Sequence, residues 1–153
     1  GLELEARFRL DEWFEGALPI NVRSNLSIFT SRVDGIPGPN NRLDAQPKGT
    51  ANLGADYRLK SLPLTLGASL NWTPSTVIQQ TLLTEATTSR KAVVDAFALW
   101  AINTEQSLRL SASNLSALAY FSGSVIDTGE QLITSRSGGP SYTQWQLRWE
   151  LKI

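Results

Sequence analysis

Hydrophobic and polar positions alternate without a miss over the last nine residues, with Trp145, Leu147, Trp149, Leu151 and Ile153 on one side and Gln146, Arg148, Glu150 and Lys152 on the other. A period of two sends successive side chains to opposite faces of a strand. The first segment, residues 2–11, repeats the pattern: Leu2, Leu4, Ala6, Phe8 and Leu10 oppose Glu3, Glu5, Arg7, Arg9 and Asp11. A soluble sandwich usually blunts a terminal strand against pairing, whereas a strand with lipid on one side and a wet lumen on the other needs two pure faces. The length of this segment matches the roughly 9–11 residues with which a tilted strand crosses a bilayer.

Five segments between these two complete the pattern. Residues 20–29 follow a turn through Gly16 and Pro19 and set Ile20, Val22, Leu26 and Ile28 against Asn21, Arg23, Asn25 and Ser27. Residues 51–59 oppose Leu53, Ala55, Tyr57 and Leu59 to Asn52, Gly54, Asp56 and Arg58. A tight turn at Lys60 and Ser61 returns the chain over residues 62–72, with Leu64, Leu66, Ala68, Leu70 and Trp72 on the apolar side. Residues 92–102 are apolar on both faces apart from Asp95, so periodicity leaves their orientation undecided. The turn 103–106 leads to Leu108, Leu110 and Ala112, opposed by Arg109, Ser111 and Ser113. The connections between them, residues 31–49, 73–90 and 116–141, read as long loops: the first holds Pro37, Pro39 and Pro47, the second is Thr-rich, and Gly138-Gly139-Pro140 punctuates the third.

Connections thus go short, long, short, long, short, long, the asymmetry of an outer-membrane barrel with tight turns inside and tall loops outside. The predicted fold is all-β, an antiparallel up-and-down meander of about seven strands forming part of a transmembrane β-barrel. Leu2, Leu4, Phe8, Leu26, Leu64, Leu66, Leu147 and Leu151 are placed on its lipid side, and Arg7, Arg23, Arg58, Arg109 and Arg148 on its lumen side. Trp13, Tyr57 and Trp100 fall near the inner interface and Trp72 and Tyr120 near the outer one, while Trp145 and Trp149 lie deeper. Seven is odd, and a closed single-chain bacterial barrel normally has an even count. The segment is therefore expected to belong to a larger barrel, and alone to seek strand partners through both edges.

Composition narrows the chemistry. Lys plus Arg and Asp plus Glu are both 14, so no basic excess points to nucleic acid. The longest apolar run, residues 96–102, is far short of the ~20 residues a membrane helix needs. Cysteine, histidine and methionine are absent. That removes thiol catalysis, a Ser-His-Asp triad, and His- or Cys-ligated metal, so no enzyme, metal or cofactor is expected. The chain starts at Gly1 without a signal peptide, which reads as cleavage or as excision from something longer. The ladder Glu3, Glu5, Arg7, Arg9 and Asp11 reads as a water-facing wall rather than as paired catalytic carboxylates, because nothing shields it. Asn-X-Ser/Thr triplets at Asn25, Asn71 and Asn114 read as coincidence. In the first long loop Asn41, Arg42, Asp44 and Gln46 are candidate ligand contacts; equally, they could cap and cross-link the loop itself.

Several local motifs resemble the C-terminal section of TonB-dependent outer-membrane receptors. Asn41-Arg-Leu-Asp-Ala-Gln-Pro47 followed by Ala51-Asn-Leu-Gly-Ala-Asp-Tyr57 is similar to that family's loop and descending strand. Val94-Asp95-Ala-Phe97 resembles the start of a late barrel strand, and Leu108-Arg-Leu-Ser-Ala-Ser-Asn114-Leu115 the penultimate strand. The resemblance implies that residues 1–153 are roughly seven of the ~22 strands of such a barrel. The plug domain and energy-coupling box would lie upstream. It implies location in the bacterial outer membrane and uptake of a scarce nutrient such as an iron–siderophore complex. The implied partners are outer-membrane lipid, the rest of the barrel with its plug, and the TonB system acting through the missing N-terminal region. The family usually closes on an aromatic residue where this chain has Ile153. The alternative is a self-contained small β-barrel or sandwich that binds or adheres.

Overall fold

The computed structural model describes residues 1–152; Ile153, the last apolar position of the terminal alternation, lies outside the described residues. The strands are β1 (Leu2–Arg9), β2 (Ile20–Ile28), β3 (Gly49–Arg58), β4 (Leu64–Thr73), β5 (Thr76–Gln79), β6 (Thr84–Thr88), β7 (Lys91–Ala101), β8 (Gln106–Ser113), β9 (Tyr120–Asp127), β10 (Leu132–Gly139) and β11 (Gln144–Leu151). Helix is confined to one 3-10 turn, Leu10–Glu12, which ends β1 two residues before the alternation stops. Seven strands form one sheet in the order β1-β2-β3-β4-β7-β8-β11 and four form a second in the order β10-β9-β6-β5. Every ladder is antiparallel.

The seven-stranded sheet is the expected meander. The four strands of the smaller sheet correct the reading of the second and third connections, which are hairpins rather than loops. Gly138 and Gly139, read as loop punctuation, close β10. The hairpin β5–β6 rises between β4 and β7, and β9–β10 rises between β8 and β11. They join through β6 and β9, where Ala86 faces Ser124 and Thr88 faces Ser122. The order β5-β6-β9-β10 repeats that of β4-β7-β8-β11 beneath it, so the smaller sheet extends the larger one upward. The first long connection, residues 29–48, stays irregular as expected.

Residues opposed across an antiparallel ladder share a face, so the registers sort every side chain of the large sheet. One face carries Leu2, Leu4, Ala6 and Phe8 of β1 opposite Ile28, Leu26, Ser24 and Val22. It continues through Ala51, Leu53, Ala55 and Tyr57 to Trp72, Leu70, Ala68 and Leu66. It then crosses Ala92, Val94, Ala96, Ala98 and Trp100 to Ala112, Leu110 and Leu108, and ends on Trp145, Leu147 and Trp149. Ser24 is its one polar side chain before the final rung, where Gln106 meets Leu151. This settles the orientation of β7: Asp95, Val93, Phe97 and Leu99 point to the wet face. It also moves Trp149, which shares a ladder row with Leu108, Trp100 and Leu64 near the short turns. Trp149 therefore belongs with Trp100 rather than deeper, while Trp145 stays in a row of alanines, Ala112, Ala96 and Ala68.

Among the described residues no second layer of strands or helices packs across the apolar face, and at its margin Trp13 meets Phe8 edge-on with ring centroids 6.2 Å apart. Apart from the 3-10 turn against β2, substantial contacts run only between ladder neighbours. Among the described residues no large side chain is fully buried, and the buried apolar positions are Ile78 and Ala112. Leu147 is 68% exposed and Trp149 63% exposed. Such a contiguous apolar surface on a water-facing monomer would be a liability. β1 and β11 are the free edges of the sheet and do not pair with each other, so no closed barrel forms within the chain.

Candidate functional site

The wet face is hydrogen-bonded laterally. Arg23 meets Asp56 at 3.0 Å and Asn21 donates to the same carboxylate at 2.9 Å. Asn25 donates to Glu3 at 2.9 Å across β1 and β2. Arg7 lies 2.9 Å from Glu5 and Arg148 3.4 Å from Glu150. These exposed pairs set side-chain direction more than stability, since each is worth about 0–1 kcal/mol. A hollow of about 520 Å³ crosses this face from Arg23 on β2 to Arg148 on β11, floored by Gly54, Ser69, Ser111 and Ser113. The Arg109 guanidinium stacks over Phe97 at 4.2 Å inside it.

Above the sheet, the four loop residues singled out from sequence divide by role. The Asn41 amide donates to the carbonyls of Val33 at 3.1 Å and Ile36 at 2.9 Å, folding the loop tip on itself. The Arg42 guanidinium donates to the carbonyls of Phe29 and Pro47 at the loop base, and its Nε is buried without a hydrogen-bond partner. Gln46 accepts from the Ser31 hydroxyl, which in turn accepts from the Leu43 amide at 3.0 Å. These three are struts. Asp44 alone reaches another element, accepting from Gln80 at 2.7 Å just beyond β5. The Gln79 backbone N–H donates to the Asn40 carbonyl at 2.9 Å beside it, so the loop is docked on the small sheet.

That docking borders an open hollow of about 760 Å³. Loop one supplies Asp44, Ala45 and Pro47; the small sheet supplies Thr76, Ile78, Ala86, Thr88 and Ser122; Thr73, Lys91 and Tyr120 stand at the rims. Thr76 and Thr88 face each other across β5 and β6 and share a hydrogen bond between their hydroxyls. Thr76 and Ile78 are 7% and 3% exposed, which makes them the packed floor. Thr73, Lys91, Tyr120 and Ser122 make no side-chain hydrogen bond among the described residues. Sequence reading brought out Asp44 but missed the rest. The Thr-rich run 84–88 carries polar groups on both faces, so it shows no alternation to mark a strand.

A third cluster ties neighbouring strands of the large sheet together. Asn114 adopts a left-handed φ of 59°, a region in which Asn is enriched. Its amide nitrogen donates to Asp95 at 2.8 Å, and its side chain donates to Ser141 and to the Tyr142 carbonyl. Thr143 returns a bond to the Asn114 carbonyl at 3.2 Å. Asn114 is thus a clasp between β7, β8 and the entry to β11. Among the described residues no group of three His, Cys, Asp or Glu side chains is placed to hold a metal ion.

No family model matches this chain, and no curated protein or solved structure matches it at a significant level.

Proposed function

We propose that the chain is wall of a bacterial outer-membrane β-barrel of the TonB-dependent receptor kind, a transporter for a scarce nutrient. The observation that carries this reading is the seven-stranded sheet's apolar face, which spans every strand and has no second layer over it among the described residues, opposite a face of ion pairs and amides. Lipid is the solvent that such a face fits. The asymmetry of the connections supports the same reading. Residues 10–19, 59–63 and 102–105 are compact turns at one end, and the tall hairpins and loop one stand at the other. In this reading the wet face lines the lumen, and further strands cover β1 and β11. A plug borne elsewhere fills the barrel, and the energy-coupling system displaces it.

The chain lacks cysteine, so single substitutions give a clean accessibility test. With the chain folded into liposomes, Leu66→Cys should resist a water-soluble maleimide while Ser69→Cys, on the opposite face, reacts. Equal labelling of both, together with a soluble monomer in the absence of detergent, would overturn the wall in favour of a self-contained binding module.

A further inference from the structure

The hollow beneath loop one has a lining that selects a class of ligand. Its charged side chains are one acid and one base, Asp44 and Lys91, so the lining is neutral overall. Asp44 is already engaged by Gln80. Anionic ligands are typically met by arginine forks, and no arginine lines this hollow. A cationic ligand would find one carboxylate, already hydrogen-bonded. What remains is Thr73 and Lys91 at the rims and Ser122 on the small sheet, whose side chains make no hydrogen bond among the described residues, beside Tyr120, which is 45% exposed. Between them lies Ala86, with Ile78 packed beneath at 3% exposed. At about 760 Å³ the space is within the size of small-molecule sites.

We infer that this hollow binds a neutral, hydroxyl-rich ligand of the saccharide class. A sugar ring has an apolar C–H face and a rim of hydroxyls that both donate and accept. The first matches the Tyr120 ring, an apolar body with a polar hydroxyl at its tip. The second matches Thr73 and Ser122, each able to donate and accept, and the Lys91 ammonium, which only donates. The inference deepens the receptor reading by naming the nutrient, and it rests on that reading only in placing the hollow outside the cell.

The test is calorimetric titration of the full chain in amine-oxide micelles, which carry no sugar headgroup. The probes are neutral hexasaccharides of α-linked glucose, β-linked glucose, mannose and xylose, with a ferric tricatecholate as the charged comparator. At least one hexasaccharide should bind and the ferric chelate should not. Tyr120→Ala should weaken binding by roughly tenfold, while Tyr120→Phe, which keeps the ring, should stay within about threefold. Amide hydrogen exchange of β6 and β9 in both variants reports that the small sheet persists. The inference is overturned if no hexasaccharide binds at 10 mM (a chosen ceiling of about that value, near the weakest affinity of interest), if the ferric chelate alone binds, or if the two Tyr120 variants lose affinity equally. Liposome flotation of the same preparation reads the wall proposal separately, so a chain that floats but ignores sugars loses the ligand and keeps the wall.

Discussion

Single side chains on the wet face show how the sheet tolerates glycine. A Cβ built on Gly67 would fall inside the Phe97 ring, which lies across that gap with Arg109 stacked on it. The same stack recurs above, where Phe121 covers Gly138 and Arg136 lies 4.3 Å from the ring centroid. An aromatic ring laid over a strand glycine restores the packing that the missing side chain forfeits. Gly67→Ala should therefore cost about 1–3 kcal/mol by forcing the ring off its site. Gly54→Ala, whose nearest neighbour is the Ala68 carbonyl at 3.9 Å, should be neutral or stabilising by up to about 1 kcal/mol. Urea titrations of folded chain in liposomes measure both. By the same assay Leu66→Arg should cost about 2–4 kcal/mol and Ser69→Arg far less, because only Leu66 is on the apolar face; equal costs would argue against a lipid side. Asn114→Ala removes two hydrogen bonds and a residue suited to left-handed backbone, and should cost about 1–2 kcal/mol. Of the loop residues legible in sequence, only Asp44 borders the hollow. Side-chain type identifies a hydrogen-bonding residue, but it does not say whether the partner will be the loop's own carbonyls, as for Asn41 and Arg42, or something beyond it.

At the level of elements, legibility tracks amphipathy. β1, β2, β3, β4, β8 and β11 each separate an apolar face from a polar one, and each was readable from period two. β7 carries apolar groups on both faces, with Phe97 lying over Gly67 and Leu99 beside Thr65 on the polar side, so its existence was readable but its orientation was not. The four strands of the small sheet were invisible for the opposite reason. β6 is Thr-Glu-Ala-Thr-Thr and β10 ends Ser-Arg-Ser-Gly-Gly, with no face pure enough to produce a period. Their pairing is set by position, since β4, β7, β8 and β11 deliver the hairpins side by side. Backbone protection should follow this division. Amide hydrogen exchange is expected to be slowest in β4 and β7, at the middle of the large sheet, and fastest in β10, an edge whose residues are all exposed. Equal protection of β10 and β4 would show the small sheet to be anchored by something outside the chain.

The whole molecule is one curtain with two unlike sides and two raw hems. Its stability cannot come from a core, since two apolar residues are buried in it; it must come from ladders and from whatever solvent or partner meets the apolar side. In water without detergent the chain should self-associate, and sedimentation finding a monodisperse monomer would count against the wall. The hems also carry a symmetry argument. With seven antiparallel strands, β1 and β11 point the same way. A second copy related by a two-fold along the membrane normal would set β1 beside its mate's β11 in parallel. A two-fold lying in the membrane plane makes both seams antiparallel but turns one copy upside down, sending its tall hairpins to the wrong side. In a membrane with a fixed outside, a second copy would close this curtain only through parallel seams. For the proposed wall, an all-antiparallel closure asks for an odd number of further strands.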